Sequence, residues 1–201
     1  MTTIRHTTTY DHRATEELIR DAFWDLYRPG CLEHLLLHLA RESDDLVPEL
    51  DLVAVDGDEI VGNIVTTRAA IHGPGGDRLE VLCLGPLGVA AHRQRRGVGG
   101  ALLTETLAKG AELGFPAAVL FGDPGYYTRF GFAPASQFGI TTADGASFDA
   151  FMAAELRPGA LDGVSGRLVE SEVFALDQAA ADAFDASFPG RDKHVRPGQF
   201  T

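Results

Sequence analysis

A basic segment followed by a glycine turn is the part of this sequence best suited to chemistry. Residues 93–96 read Arg-Gln-Arg-Arg, and glycines follow at positions 97, 99 and 100, where a helical apolar pattern begins. At such a turn, backbone N–H groups and the positive end of a helix dipole converge near the arginines. A solvated basic loop is the common alternative, but the combination favours an anion site, and we expect it to bind a pyrophosphate.

Two familiar phosphate-binding loops do not fit this segment. The P-loop pattern GxxxxGK[ST] needs a Lys-Ser or Lys-Thr pair, and the chain contains neither. The dinucleotide pattern GxGxxG would need glycine at the position of Leu102. The segment therefore predicts phosphate binding of a different kind.

Two helices and a three-stranded meander precede this loop in the predicted order of elements. Apolar residues recur with helical spacing over 11–26 and 32–39. The stretches 51–55 and 60–72 are rich in β-branched residues and are joined by an Asp-Gly-Asp turn, and a third strand follows over 79–89. We expect the three strands to pair antiparallel.

The basic loop itself lies inside a predicted βαβ unit. The third strand ends at Val89, a helix follows the glycines and closes near Gly114, and the apolar run 117–121 returns parallel beside the third strand. The prediction is an α/β fold with a mostly antiparallel mixed sheet, a central βαβ unit and helices on both faces. Further strands are expected over 150–156 and 166–169, and residues 182–201 read as a loosely attached tail.

Charge and cysteine content limit the classes of partner. The 201 residues carry a formal charge of −12, which repels phosphate backbones and anionic bilayers, so we expect no nucleic-acid and no membrane partner. Cys31 and Cys83 lie far apart without zinc-site spacing, and His34 and His38 have no third ligand nearby, so no metal site is predicted. The N-terminal residues contain no apolar signal segment, and we expect a cytoplasmic protein.

Two motifs in order resemble a known family. The segment 94–99 (Gln-Arg-Arg-Gly-Val-Gly) after the strand 87–89 resembles the acetyl-CoA signature [QR]xxGx[GA] of the GNAT superfamily of N-acetyltransferases. The segment 127–132 (Tyr-Thr-Arg-Phe-Gly-Phe) resembles the family's YxxxGF segment, and Gly122-Asp-Pro-Gly-Tyr-Tyr127 is similar to a bacterial branch of predicted members. The resemblance covers roughly residues 50–161.

The resemblance implies acetyl-CoA as co-substrate and assigns the residues that would hold it. The strand segment would pair with the pantetheine arm, and the glycine turn would bind the pyrophosphate through amide N–H groups. Gly85-Pro86 is the expected place for a bulge that separates this strand from its parallel neighbour. The implied cofactor-binding residues are Leu87, Gly88, Val89, Gln94, Arg95, Arg96, Gly97, Val98, Gly99, Gly100 and Ala101.

The implied reaction is transfer of acetyl to a primary amine by direct attack in a ternary complex. Tyr127 matches the family's general-acid tyrosine, and its hydroxyl is protonated at neutral pH; the alternative is a packing aromatic. In some members a glutamate precedes the CoA-pairing residue by four positions, and Cys83 occupies that position here. Glu80 is on the other strand face, while Asp123 could act as base or cap the next turn, and water would need no side chain at all.

The acceptor and the assembly stay open at this level. A small amine or a peptide fits the reaction, and Phe23, Trp24, Tyr27 and Arg28 would either line the acceptor pocket or belong to the core and rim. A CoA-binding protein without transferase activity is the main alternative function, and a partner-binding domain with a fortuitous glycine turn is another. We expect one GNAT domain over residues 1–170 and a C-terminal extension over 171–201 packed on it; a homodimer is one option for the assembly.

Overall fold

The structure is a computed structural model that describes residues 2–199. The strands are β1 (Thr2–His6), β2 (Leu52–Asp56), β3 (Glu59–His72), β4 (Arg78–Val89), β5 (Ala117–Phe121), β6 (Ala133–Pro134), β7 (Ile140–Thr141), β8 (Phe151–Glu155) and β9 (Gly166–Val169). The α helices are α1 (His12–Phe23), α2 (Glu33–Glu42), α3 (Val98–Glu112), α4 (Pro124–Tyr127) and α5 (Gln178–Asp185). No helix within residues 2–199 is both long enough and apolar enough to cross a membrane.

The chain forms two compact units by the density of internal contacts. The first unit contains the described residues of 1–65, 86–103 and 172–201, and the second contains 66–85 and 104–171. Strands β3 and β4 and helix α3 each contribute residues to both units. The predicted boundary of a GNAT domain at residue 170 stays a prediction.

In the first unit, helices cover both faces of the strands. β1 pairs antiparallel with β2, and β2 with β3, as the β-branched runs and the Asp-Gly-Asp turn predict for the β2–β3 pair. The α1 and α2 core, built on Leu18, Ile19, Leu37 and Ala40, packs on Val65 of β3. Gly62 faces α3 instead, because a Cβ there would lie 2.9 Å from Leu102 Cδ1 and 3.0 Å from Val98 Cγ1. Residues three apart on a strand point to opposite faces, so the first turns of α3 lie across the strands of this unit from α1 and α2.

In the second unit, β4 pairs parallel with β5 and the other described pairs are mostly antiparallel. The β4–β5 register joins Leu82 to Ala118 and Cys83 to Val119. β5 and β6 both pair antiparallel with β8, and β9 pairs antiparallel with β3 and parallel with β7. The mixed, mostly antiparallel sheet with a central strand–helix–strand unit confirms the predicted fold class.

β1 and α5 are among the elements that were not expected from the sequence, and one helix is shorter than expected. β1 has a single aliphatic residue, Ile4, and is largely exposed, so it lacks the alternation that marks a strand. The second half of α5 lies in the segment 182–201 that was expected to be loosely attached; Asp177 caps the helix by accepting a hydrogen bond from Ala180 N at 2.7 Å. α1 ends at Phe23 rather than Leu26, because Asp25 has a left-handed φ of 57° that a helix cannot continue through.

Candidate functional site

A tight loop connects β4 to α3 and is held by its own hydrogen bonds. Gln94 Nε2 donates to the backbone oxygen of Val89 at 3.2 Å, which links the loop to the end of the strand. Arg95 and Gly97 both have positive φ, 58° and 87°. At Gly97 a Cβ would meet nothing within 4 Å, so the glycine is required by the backbone turn and not by crowding. The turn reverses the chain directly into the first turn of α3.

The N-terminus of α3 presents a group of backbone donors. Ala101 N donates to Gly97 O at 2.9 Å and makes the first bond of the helical ladder. The N–H groups of Val98, Gly99 and Gly100 precede that bond and therefore have no acceptor within the helix. The Val98 side chain is buried against the sheet and anchors this turn. Three donors and the positive end of a 15-residue helix point to one place, which suits a phosphate or pyrophosphate.

The arginines of the loop have different surroundings. Arg93 Nη2 lies 2.5 Å from Asp56 Oδ2, so its charge is balanced by the β2–β3 turn. Arg95 and Arg96 are exposed, and neither makes an ion pair with a residue in the range 2–199. The loop therefore keeps two guanidinium groups beside the α3 N-terminus in a chain whose net charge is −12. This local excess of positive charge is what an anionic ligand requires.

The strand segment that leads into the loop is shaped by two glycines. A Cβ on Gly88 would lie 2.5 Å from Ile19 Cδ1, so α1 crosses β4 closely at this point. Gly85 has a φ of 133°, a conformation that favours glycine, and the parallel pairing of β4 with β5 includes no described residue after Cys83. This irregularity agrees with the bulge expected at Gly85-Pro86.

The predicted cofactor residues thus come together in one unit. Residues 87–89 and 94–101 all belong to the first unit, and the Gln94–Val89 hydrogen bond joins the two segments directly. Their role in binding a ligand stays a prediction, because their geometry fits an anion without identifying it. Tyr127 belongs to the second unit and is described there.

Tyr127 ends the short helix α4 that follows β5. Asp123 caps this helix through its side chain, which accepts a hydrogen bond from Gly125 N at 2.9 Å. The Tyr127 ring packs edge-on against Phe132, with centroids 5.9 Å apart, and it occupies the space where a Cβ of Gly122 would stand. The glycine before the helix therefore makes room for this tyrosine, which is half-buried. The ring packs as the alternative interpretation expects, and the role of its hydroxyl stays a prediction.

The residues that the sequence suggested as bases either make other contacts or carry a proton at neutral pH. Asp123 acts as the cap described above. Glu80 lies on the surface between Arg68 and Arg78, with N–O distances of 3.8 and 3.6 Å. Cys83 is buried, and burial together with a nearby carboxylate raises its pKa well above the ordinary value. At neutral pH its thiol is therefore protonated and cannot accept a proton.

The carboxylate beside Cys83 is Glu170, a residue that sequence reasoning missed. Cys83 Sγ lies 3.9 Å from Glu170 Oε1, and Glu170 is half-buried at the end of β9. Burial raises the pKa of Glu170 above its ordinary value, although the Cys83 contact opposes this in part. No local pattern marks the residue, because 87 positions separate it from Cys83 and only the pairing of β9 with β3 brings it there.

The C-terminal segment covers part of the helices expected to line an acceptor pocket. Trp24 is buried, and its Nε1 donates to the backbone oxygen of Asp192 at 3.0 Å. Arg20 Nε contacts Asp185 at 2.6 Å, and Asp25 receives a hydrogen bond from His194 N at 3.1 Å. Residues 182–199 are therefore tied to α1 instead of loosely attached. Trp24 belongs to the core under this segment, while Tyr27 remains largely exposed.

A buried histidine, His34, also contacts the C-terminal part of the chain. His34 Nδ1 lies 3.2 Å from Cys31 Sγ, and its Nε2 lies 3.3 Å from Asp185 Oδ1. Burial lowers the pKa of His34 to about 4, so the ring is neutral at pH 7. Within residues 2–199 no three histidine, cysteine or acidic side chains are grouped to hold a metal ion.

Comparison with known proteins places the chain among acetyltransferases. The family model "Acetyltransferase (GNAT) domain" matches residues 3–135. An uncharacterized N-acetyltransferase, YhbS of Escherichia coli strain K12, is 31% identical over 143 residues, which are 71% of this chain and 83% of YhbS.

Two solved structures of such proteins are similar over most of this chain. The crystal structure of E. coli YhbS in complex with CoA matches with a TM-score of 0.77 and 28% identity, over 87% of this chain and 92% of that one. A GNAT family acetyltransferase from Brucella melitensis, in complex with acetyl-CoA, matches with a TM-score of 0.70 and 26% identity, over 87% and 98% of the two chains.

Proposed function

The chain belongs to the GNAT family of acetyltransferases, and on this premise we propose that it transfers the acetyl group of acetyl-CoA to a primary amine by direct attack in a ternary complex. The observation that carries the proposal is the α3 N-terminus, where three N–H groups have no acceptor within the helix and the exposed Arg95 and Arg96 precede the first turn. This arrangement suits a pyrophosphate, and two similar structures are complexes with CoA or acetyl-CoA.

Residues of this chain have separate tasks in the proposed reaction. The turn 94–101 binds the pyrophosphate of acetyl-CoA, and the backbone of 87–89 pairs with the amides of the pantetheine arm. A backbone N–H near Val89 polarises the thioester carbonyl toward the attacking amine. Tyr127 donates a proton to the departing sulfur, because a neutral thiol leaves more easily than a thiolate.

A second candidate function has its own supporting observation. Cys83, on the central strand, is a buried protonated thiol and supplies no base. A protein that binds CoA or acyl-CoA without transferring acetyl would tolerate this. The acceptor amine, small molecule or peptide, and a homodimeric assembly stay predictions, as does the cytoplasmic location.

One experiment separates these functions. Purified protein is titrated calorimetrically with acetyl-CoA and CoA, and thiol release is then followed with a panel of primary amines. The transferase proposal expects acetyl-CoA binding at tens of micromolar or tighter, about −6 kcal/mol, and thiol release that depends on the amine. Tyr127→Phe is expected to lower kcat about 100-fold with unchanged acetyl-CoA affinity, since a general acid acts in the transition state. Binding without amine-dependent release would favour the second function, and no binding would exclude both.

A further inference from the structure

The pairing of β4 with β5 stops partway along both strands. The parallel register joins Leu82 to Ala118 and Cys83 to Val119, and within the described residues it goes no further. β5 nevertheless continues to Phe121, and β4 passes the irregular residue Gly85. Cys83 therefore occupies the last paired position of β4 in this register. A strand edge with unpaired backbone groups can take up an added ligand.

A carboxylate from a distant strand stands at this point. Val169 is the last residue of β9 and is paired with Ala70 of β3, and Glu170 follows directly. This register brings Glu170 Oε1 to 3.9 Å from Cys83 Sγ. The β9 pairing thus brings an acidic side chain to the last paired position of β4 and β5.

The surroundings of Glu170 are unlike those of the structural carboxylates. Asp51 and Asp185 have little exposed side-chain area, and each faces an arginine, Arg41 at 2.8 Å and Arg20 at 2.6 Å. In the part of the chain that the structure describes, no cationic side chain pairs with Glu170. The titratable group that faces it is the Cys83 thiol on β4. A half-buried carboxylate without a cation costs folding free energy, and such groups are frequent at functional sites.

The side chains of Glu170 and Tyr127 lie on different sides of the sheet. Parallel register partners share a face, so Cys83 points to the side of Val119, and Glu170 approaches it there. The Tyr127 ring lies beside the Leu120 side chain, which alternates to the opposite side of β5. A base on one face and an acid on the other suit a reaction that joins two substrates.

We propose that Glu170 is the catalytic base that accepts the proton of the attacking amine. In this step the amine nitrogen bonds to the thioester carbonyl carbon, and its proton passes to a Glu170 carboxylate oxygen. The C–S bond breaks, and the sulfur takes a proton from Tyr127. Glu170 then releases its proton to solvent, and Tyr127 regains one from solvent. This inference rests on the proposed acetyl transfer.

The raised pKa of Glu170 fits this task. A base is most effective when its pKa approaches the working pH, and burial moves Glu170 in that direction. Because the conjugate acid is less acidic than an exposed glutamic acid, the carboxylate accepts a proton more readily. The expected pH dependence is that of a base, because the carboxylate must be unprotonated: activity is lost as the pH falls through the pKa of Glu170.

The test compares Glu170→Gln with Glu172→Gln, a matched control two residues away whose carboxylate is exposed. Glu170→Gln is expected to lower kcat/KM for the amine about 100-fold, with the Kd for acetyl-CoA within about twofold of wild type. Glu172→Gln is expected to leave both unchanged. In wild type, log(kcat/KM) should rise with a slope of about 2 below the pKa of Glu170, since amine and base both lose a proton; in Glu170→Gln the slope should be about 1 throughout.

The possible results distinguish failure of the Glu170 assignment from failure of the proposed acetyl transfer. If wild type releases thiol and Glu170→Gln retains its rate and its steeper acidic limb, Glu170 is not the base while acetyl transfer stands. If wild type shows no amine-dependent release, the proposed function fails and this inference falls with it. If Glu170→Gln does not fold, Glu170→Asp replaces it in the test. This variant keeps the negative charge but moves the carboxylate back by one methylene. A lower kcat with the acidic limb retained would then support the role, and an unchanged kcat would overturn it.

Discussion

Replacing Gly62 with alanine tests how firmly α3 is seated on the sheet. The added methyl would lie 2.9 Å from Leu102 Cδ1, 3.0 Å from Val98 Cγ1 and 3.3 Å from the backbone oxygen of Gly88. The first two atoms belong to the first turns of α3, and the third belongs to the strand that enters the basic loop. Gly62 has an ordinary backbone conformation, so the substitution adds crowding without backbone strain.

The expected destabilisation follows from this crowding. An extra methyl in a well-packed core costs about 1–3 kcal/mol. A 201-residue chain has an unfolding entropy of about 0.42 kcal/mol/K, so Tm should fall by about 2–7 °C. Relief of the contact moves Val98 and the N–H groups beside it outward. Loss of one charge-assisted hydrogen bond to a phosphate costs about 1.5–3 kcal/mol, which predicts acetyl-CoA binding weaker by about tenfold or more.

The measurements are thermal unfolding and calorimetric titration with acetyl-CoA. Gly190→Ala is the matched control, because a Cβ at Gly190 would meet nothing within 4 Å and its φ is not positive. If Gly62→Ala unfolds within about 1 °C of that control, the close packing of α3 on β3 is refuted. If Tm falls but the Kd is unchanged, the α3 amide groups do not hold the pyrophosphate, and the argument from the helix N-terminus fails.

Two further predictions concern stability. Because burial lowers the pKa of His34 to about 4 from its ordinary 6.5, the unfolded chain binds a proton between these values and the folded chain does not. Urea unfolding should therefore show stability falling by up to about 1.4 kcal/mol per pH unit between pH 6.5 and 4, and His34→Gln should lose this contribution; an equal slope in both proteins would contradict it. Arg41→Met removes the cation from Asp51, and since both side chains are buried with an N–O distance of 2.8 Å, we expect a loss of about 3–5 kcal/mol in urea unfolding at pH 7. A loss below about 1 kcal/mol would show that the pair is hydrated or replaceable.

The anion loop could be predicted from the sequence because its geometry is local. Gln94 bonds to Val89 five residues away, and Ala101 bonds to Gly97 four residues away. The side chains and glycines that shape such a loop lie within a few residues of one another, so a short stretch of sequence contains all of them. The βαβ unit was predictable for a related reason, since a parallel return requires a crossover and the helix between the strands supplies it.

The contacts of the C-terminal segment could not be predicted in this way. Trp24 and Asp192 are 168 positions apart, and nothing near Trp24 indicates that a backbone oxygen will reach its indole N–H. The same holds for Arg20 and Asp185, which are 165 positions apart. From the sequence, Trp24 fitted a pocket wall as well as a core position. Only the path of the chain after β9 decides between them.

Glu170 shows why a catalytic role can move between elements without leaving a motif. A proton acceptor has to reach the attacking nitrogen, and that condition fixes a place in space rather than a position in the chain. Cys83 occupies the place along β4 but carries a proton at neutral pH. The Cys83 side chain is short, and Glu170, the residue after β9, comes within 3.9 Å of it. If the short side chain of Cys83 provides the space for Glu170, a larger side chain at position 83 should displace the Glu170 carboxylate. The size of residue 83 and the presence of an acidic residue after β9 are then linked.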